Sequence, residues 1–334
     1  MKISFRRLQD SDVAPLLNFS KAMFGVGTYQ SSPAYLRWLY QENPCARGLD
    51  DAVLAIAGGD IVGMVHRMAL PCIGPDGPAT LLSLQNHIVS PEAGGAAGML
   101  LLRQATRDPM AYSPGVHSRL GETYRRLGFV ELPSFWLTRL VRPVRVAAQM
   151  ALQRSPLRRH SERAVRLDVA KVGRAVGAGV EVSASPSNET LSLLASRINA
   201  QAEAEGGARI AWTQEGLRWR FFSPTGPRHV LLSRGEDWAI LSLGRRSGVT
   251  VARLMELGGG DPGFMRPILA AASAMGAGVA LAHSTQAAFR ARLLAAGWRE
   301  RKDPPSSFVQ GVGKLAASAA VGDVGFEAFG VVVQ

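Results

Sequence analysis

The tripeptide Leu36-Arg37-Trp38, followed by Tyr40 and Pro44, returns 181 positions later as Leu217-Arg218-Trp219, followed by Phe221 and Pro224. A repeat separated by more than half of a 334-residue chain points to two copies of a whole domain, because solenoid repeats recur every few tens of residues. Periodicity around the first copy predicts a definite order of elements. Lys2 to Leu8 alternates as a strand, and Asp10-Ser11-Asp12 caps an amphipathic helix carrying Leu16, Leu17, Phe19, Met23 and Phe24. A second helix spans Pro33 to Gln41. Apolar runs at 51–57 and 61–70 flank Gly58-Gly59-Asp60 as a hairpin, and 80–89 adds another strand. Helix 99–107, strand 110–113, helix 118–127 and strand 128–132 complete the order β-α-α-β-β-β-α-β-α-β. The same order begins again at Gly179, and Leu127-Gly128-Phe129 has its counterpart in Ala296-Gly297-Trp298. The expected fold class is α/β with mixed sheets, as two tandem domains at 1–140 and 179–334 joined by 141–178. A hydrophobic content of 47% gives each domain enough apolar material for a core, with Trp38 and Trp219 as equivalent core residues.

Several classes are excluded by what the chain lacks. Charges at Lys2, Arg6 and Arg7 interrupt the start before any leader-like apolar stretch develops. The longest apolar run, Ile268 to Ala282, is broken by Ser273, Gly276 and Gly278 and reads as a helix followed by a strand. Two cysteines, Cys45 and Cys72, and six scattered histidines give neither a disulfide framework nor metal-ligand spacing, so no metal and a reducing, cytoplasmic setting are expected.

The net charge of +12 is concentrated. Between Arg139 and Arg174 ten basic residues stand against Glu162 and Asp168. This segment reads either as a solvated connector or, through Val144, Val146, Ala147, Ala148, Ala151 and Leu152, as an interfacial helix on anionic lipid. It lacks the interleaved aromatics of a stacking surface, so no nucleic-acid partner is expected. The tail from Gly311 to Gln334 offers one further edge strand through Phe326 to Val333.

Chemistry concentrates after the strand at 80–89. The run Val89-Ser90-Pro91-Glu92-Ala93-Gly94-Gly95-Ala96-Ala97-Gly98 passes from strand to helix through small residues. Such residues let a phosphate approach the backbone, and the unpaired amides of a helix N-terminus attract an anion; a tight turn satisfies the same composition. Alternation along the preceding strand puts Ser83, Gln85 and His87 on one face, which suggests a lined cleft with His87 as a candidate base. Further on, Tyr124-Arg125-Arg126-Leu127-Gly128-Phe129 closes a helix.

The two runs together resemble the GNAT superfamily of N-acyltransferases over residues 2–140: the first is similar to its Val-x-Pro-x-x-(Arg/Gln)-Gly-x-(Gly/Ala) pyrophosphate loop, the second to its Tyr-x-x-x-Gly-Phe helix end. The resemblance implies acetyl-CoA or another acyl-CoA as donor, held by Gly94, Gly95, Ala96, Ala97 and Gly98. It also implies backbone amides near Ile88 and Val89 for the thioester carbonyl, and Tyr124 as the acid for the departing thiolate. Gly94 stands where the family has Arg or Gln, which removes a side-chain contact. The implied reaction is acyl transfer to a primary amine of a small molecule, such as an amino sugar or an envelope or polysaccharide precursor. A catalytically inactive ligand-binding protein and a membrane-surface adaptor are the alternatives. In the second half Leu293 replaces the tyrosine and Asp261 stands where a phosphate would lie, so that half is expected to be non-catalytic.

Overall fold

The computed structural model describes residues 2–74, 76–107, 110–153, 167–246, 249–302, 304–312 and 315–316. The expected strand at Phe326 to Val333 and the middle of the Arg-rich segment, 154–166, lie outside the described residues.

The first half runs β1 (Ile3–Arg7), α1 (Val13–Phe24), α2 (Pro33–Tyr40), β2 (Ala52–Ala57), β3 (Asp60–Gly74), β4 (Gly77–Val89), α3 (Gly94–Ala105), β5 (Ala111–Val116), α4 (Gly121–Arg126), β6 (Val130–Leu132) and β7 (Phe135–Leu140). Then follow α5 (Pro143–Gln153), α6 (Val169–Val176), β8 (Glu181–Ser183), α7 (Asn188–Glu205), β9 (Ala208–Ile210), α8 (Gln214–Phe222), β10 (His229–Arg234), β11 (Asp237–Arg246) and β12 (Val249–Gly258). The chain continues through α9 (Met265–Ala274), β13 (Val279–Ser284), α10 (Ala287–Ala295), β14 (Arg299–Glu300), β15 (Ser306–Gln310) and β16 (Leu315–Ala316). Local chemistry repeats with the elements. Ser32 Oγ accepts from Tyr35 N at the start of α2, and Thr213 Oγ1 accepts from Gly216 N at the start of α8.

Two sheets carry the duplication. The first has the order β1-β2-β3-β4-β5-β15-β6, the second β14-β7-β13-β12-β11-β10-β8, and short β9 and β16 extend the first beside β3. Read from β8, the second order is the first with every strand replaced by its counterpart. In the main order of each sheet one strand comes from the other half, and β9 and β16 are two further second-half strands on the first sheet. β7 pairs with β13 over Phe135↔Ser284 to Leu140↔Val279, and β15 pairs with β5 and β6 through Ser307, Phe308 and Val309. The boundary expected at residue 140 is therefore corrected. Pro133, which has no N–H to extend a ladder, ends the first half's own contribution after β6, and the next strand crosses over.

The segment 141–178 is likewise no solvated connector where it is described. Arg142 donates to Ser273 Oγ and Gln149 to Thr250 Oγ1, while Val172 and Val176 of α6 enter the core of the second sheet. These contacts attach α5 and α6 to the second half, leaving Val144 on the outer side of α5, 82% exposed. Arg139 also donates to a second-half carbonyl, that of Gly297. Among the described residues, no helix is long and apolar enough to cross a membrane.

The largest core runs continuously through both halves. It joins Leu16, Trp38, Met64 and Met68 to Leu191, Trp219, Phe221 and Ile240. A separate core beneath α3 and α4 holds Val53, Val65, Leu84, Leu101, Tyr124, Phe129 and Phe308. The faces of the first sheet thus have different neighbours: α1, α2 and the second half on one, α3 and α4 on the other.

Candidate functional site

β4 and β5 are parallel but paired only at Leu82↔Ala111 and Ser83↔Tyr112. Beyond that point β4 continues six residues to Val89 and β5 four residues to Val116, with no ladder between them among the described residues. The sheet opens into a crevice, and backbone amides on the β5-facing edge of 84–89, the stretch containing Ile88 and Val89, lose their strand neighbour.

A bulge makes β4 depart from simple alternation. Register against β3 shifts between Met64↔Ile88 and His66↔Gln85, and Asn86 in that step has φ +50°, the one positive value at a non-glycine residue among those described. Strict alternation therefore fails at the bulge. Ser83, Gln85 and Asn86 face α2, where Gln85 Nε2 donates to Ser83 Oγ (2.8 Å) and Asn86 Nδ2 to Tyr35 Oη (2.8 Å). His87 faces α3, and its Nε2 lies 3.0 Å from Gly98 O. The expected row of Ser83, Gln85 and His87 is thereby corrected, because one extra residue rotates His87 to the other side. Since a carbonyl can only accept, Nε2 carries the proton in this contact. Burial holds the His87 pKa below its ordinary value, partly offset by the Gly98 carbonyl.

On the α3 side, Gly94 has φ +74° and turns the chain from Pro91-Glu92-Ala93 into the helix. Gly94, Gly95 and Ala96 are exposed, Ala97 and Gly98 are buried against the sheet, and no side chain caps the helix. A Cβ added at Gly94 or Gly95 would meet nothing within 4 Å. The first-turn amides of a 12-residue helix thus face open space beside the crevice.

Tyr124 is buried on α4 and bonds to the parted stretch of β5. Its hydroxyl accepts from Ser113 Oγ at 2.9 Å, one residue beyond the last paired position of β5. Its ring packs edge-on against Phe129 and stacks on Phe308, with centroids 5.1 and 5.2 Å away. Burial pushes its pKa up to about 12, so the phenol stays protonated at neutral pH. Phe308 comes from the exchanged strand, which nothing local to 80–130 in the sequence could have announced.

The corresponding place in the second half is already filled. Asp261 Oδ1 accepts from Gly263 N at 2.7 Å, its Oδ2 pairs with Arg234 at 2.5 Å, and Leu293 is fully buried where the first half has Tyr124. The carboxylate, ion-paired with Arg234, stands ahead of α9 at the position where the first half has Ser90 before Pro91.

Fold and crevice together define a duplicated α/β architecture whose first sheet opens between β4 and β5. Solved structures carry the same fold. A GCN5-related N-acetyltransferase from Anabaena variabilis superposes with a TM-score of 0.56 at 10% identity, covering 92% of this chain and 72% of that one. One from Kribbella flavida gives 0.56 at 11% identity, over 92% and 71%. Saccharomyces cerevisiae N-myristoyltransferase with bound myristoyl-CoA gives 0.61 at 8% identity, over 95% and 80%. No protein-family model matches the chain, and no curated protein matches it.

Proposed function

We propose that the first half binds an acyl-CoA thioester and transfers its acyl group to a primary amine of a small molecule, while the second half serves as scaffold. The observation that carries this reading is the parting of β4 from β5 beyond Ser83 and Tyr112, beside the uncapped start of α3 and with Tyr124 hydrogen-bonded to Ser113 on the parted stretch of β5. A pyrophosphate fits the amides of Gly95, Ala96, Ala97 and Gly98 through charge and close approach, and Gly94 supplies the turn that presents them. The pantetheine arm lies between the parted strands, where unpaired amides around Ile88 and Val89 replace the missing strand. The yeast enzyme's bound myristoyl-CoA supports a long-chain donor as readily as acetyl-CoA.

Attack by the amine on the thioester carbon breaks the C–S bond, and Tyr124 gives its proton to the departing sulfur. The proton displaced from the amine nitrogen then restores the phenol, directly or through water. In this reading His87 is a positioning residue: its hydrogen bond to Gly98 ties β4 beyond the bulge to α3 and holds the loop against the crevice. The test is coenzyme A titration followed by thiol release from acetyl-CoA and myristoyl-CoA across an amine panel that includes amino sugars. Binding with turnover is the expected result. Binding without thiol release from any pair would move the assignment to a ligand-binding protein, and failure to bind coenzyme A would end both.

A further inference from the structure

On the opposite face of β4 from the phosphate loop, three buried polar atoms have no hydrogen-bond partner: His66 Nε2, Gln85 Oε1 and Asn86 Oδ1. They belong to one place. His66 and Gln85 are direct partners in the β3–β4 register, and Asn86 is the next residue, in the bulge. His66 is completely buried and Gln85 is 1% exposed, while Asn86 is half-buried and forms the outer edge. The rest of each side chain is fixed. Gln85 Nε2 is spent on Ser83, Asn86 Nδ2 on Tyr35, and His66 Nδ1 on Tyr40 Oη, with Tyr35 edge-on to the imidazole at 5.4 Å. Burial brings the His66 pKa down to about 3, so the ring is neutral, and Tyr40 stays a protonated phenol.

A buried acceptor without a donor costs about 1–3 kcal/mol. A pair of amide oxygens left in this state on adjacent residues is an arrangement that a ligand bearing N–H or O–H groups would complete. Its position selects the ligand: it begins where β4 leaves β5, at the inner end of the crevice and on the face away from the phosphate loop.

We infer that Gln85 Oε1, Asn86 Oδ1 and His66 Nε2 form the acceptor pocket, which receives the primary amine through hydrogen bonds to neutral groups. This inference rests on the acyl-CoA reading of the crevice. The neutrality of the pocket has a chemical consequence. A carboxylate here would hold the acceptor as ammonium, the form that cannot attack, whereas burial among neutral amides favours the free amine. The amine sheds its ammonium proton to solvent on entering. Its nitrogen then donates N–H bonds to the two oxygens while its lone pair points to the thioester carbon.

The test uses the full chain and saturation-transfer NMR with D-glucosamine and ethanolamine as probes, each with and without saturating coenzyme A. Coenzyme A titration is run on the same samples. Wild type is expected to bind at least one amine. Gln85→Met, which keeps the length and removes both polar atoms, should lose that signal at least tenfold, keep its coenzyme A affinity within twofold, and raise the apo Tm. Amine binding that is unchanged in Gln85→Met, or absent from wild type while coenzyme A binds, overturns the pocket. No coenzyme A binding overturns the parent reading instead. Amine binding that persists in wild type but is lost in Gln85→Met would then still support the pocket.

Discussion

Trp38 and Trp219 exchange hydrogen bonds: each indole N–H donates to the other's backbone carbonyl, at 3.0 and 2.6 Å, over rings stacked 5.1 Å apart. The residues are equivalent positions of the two copies, so the local dyad of the duplication passes between them. Ser223 Oγ also donates to Glu42 across this joint, and Tyr29 Oη donates to Thr225 O. Arg220 lies over the Trp38 ring at 5.5 Å on one side only, which marks where the copies have diverged.

Because the two indole rings stack on one another, their substitutions should be coupled. Trp38→Phe and Trp219→Phe are each expected to cost about 2–3 kcal/mol, one lost hydrogen bond plus one stranded carbonyl in a buried site. The double variant should cost less than the sum by about 1 kcal/mol. Urea unfolding of the four proteins measures this. Gly226→Ala should act on the same joint, since an added Cβ would lie 2.7 Å from Trp38 Nε1.

The exchanged strands make the first crevice depend on the far end of the chain. A protein ending at residue 302 lacks β15, so β5 and β6 lose the strand between them and Tyr124 loses the ring on which it stacks. Loss of near-UV circular dichroism and of coenzyme A binding is expected, although every residue of the first half is present. Phe308→Ala should reproduce part of this, at a cost of about 3–5 kcal/mol for a fully buried aromatic.

These dependencies explain which features could be read in advance. Helix α8 spans Gln214 to Phe222 because a Thr213 cap and Ser223-Pro224 bracket it, and the run from Ile268 splits, as expected, into α9 and β13 where Gly276 and Gly278 stand. The turn into α3 through Pro91 and Gly94 was legible for the same reason, since its geometry is local. Strand exchange was not, because β7 carries the same alternation whichever sheet it joins. Gln85, Asn86 and His66 come together through a bulge, and a bulge leaves no mark in a hydrophobic pattern. Asn86, a residue tolerant of positive φ, was the one available clue.

Burial of three histidines predicts an early acid transition. His66, His229 and His283 are held neutral with pKa values near 3, 3 and 4, below the unfolded value of about 6.5. Between those limits the unfolded chain takes up protons that the folded chain refuses. Stability is therefore full above about pH 6.5 and falls as pH drops below it, by about 1.4 kcal/mol per pH unit for each histidine. Urea midpoints from pH 7 to pH 5 should show this slope before most carboxylates titrate. His229→Asn should remove about one proton's share.

Tyr124 is expected to act on turnover more than on binding. Tyr124→Phe removes the proton donor while keeping the ring against Phe129 and Phe308, so coenzyme A affinity should hold while thiol release falls about 100-fold or more. With its pKa raised to about 12, the phenol should not limit the rate between pH 7 and about pH 10, and a basic limb in that range would have to come from another group.

The second half shows how the first could be silenced. The Asp261 carboxylate caps the turn ahead of α9, and a carboxylate can be set directly on the first turn of α3 by Gly95→Asp. Position 95 is exposed and open, so the side chain fits without displacing a neighbour. Placed against the positive end of α3 it should stabilise the fold by about 0.3–1 kcal/mol. The same charge would repel a pyrophosphate, and coenzyme A affinity should fall at least tenfold. Opposite signs for folding and binding are the useful feature, because a variant that merely damaged the loop would lose both. A thermal melt and a coenzyme A titration on one preparation separate the cases, and a Gly95→Asp protein that binds the coenzyme like wild type would remove the phosphate from this helix.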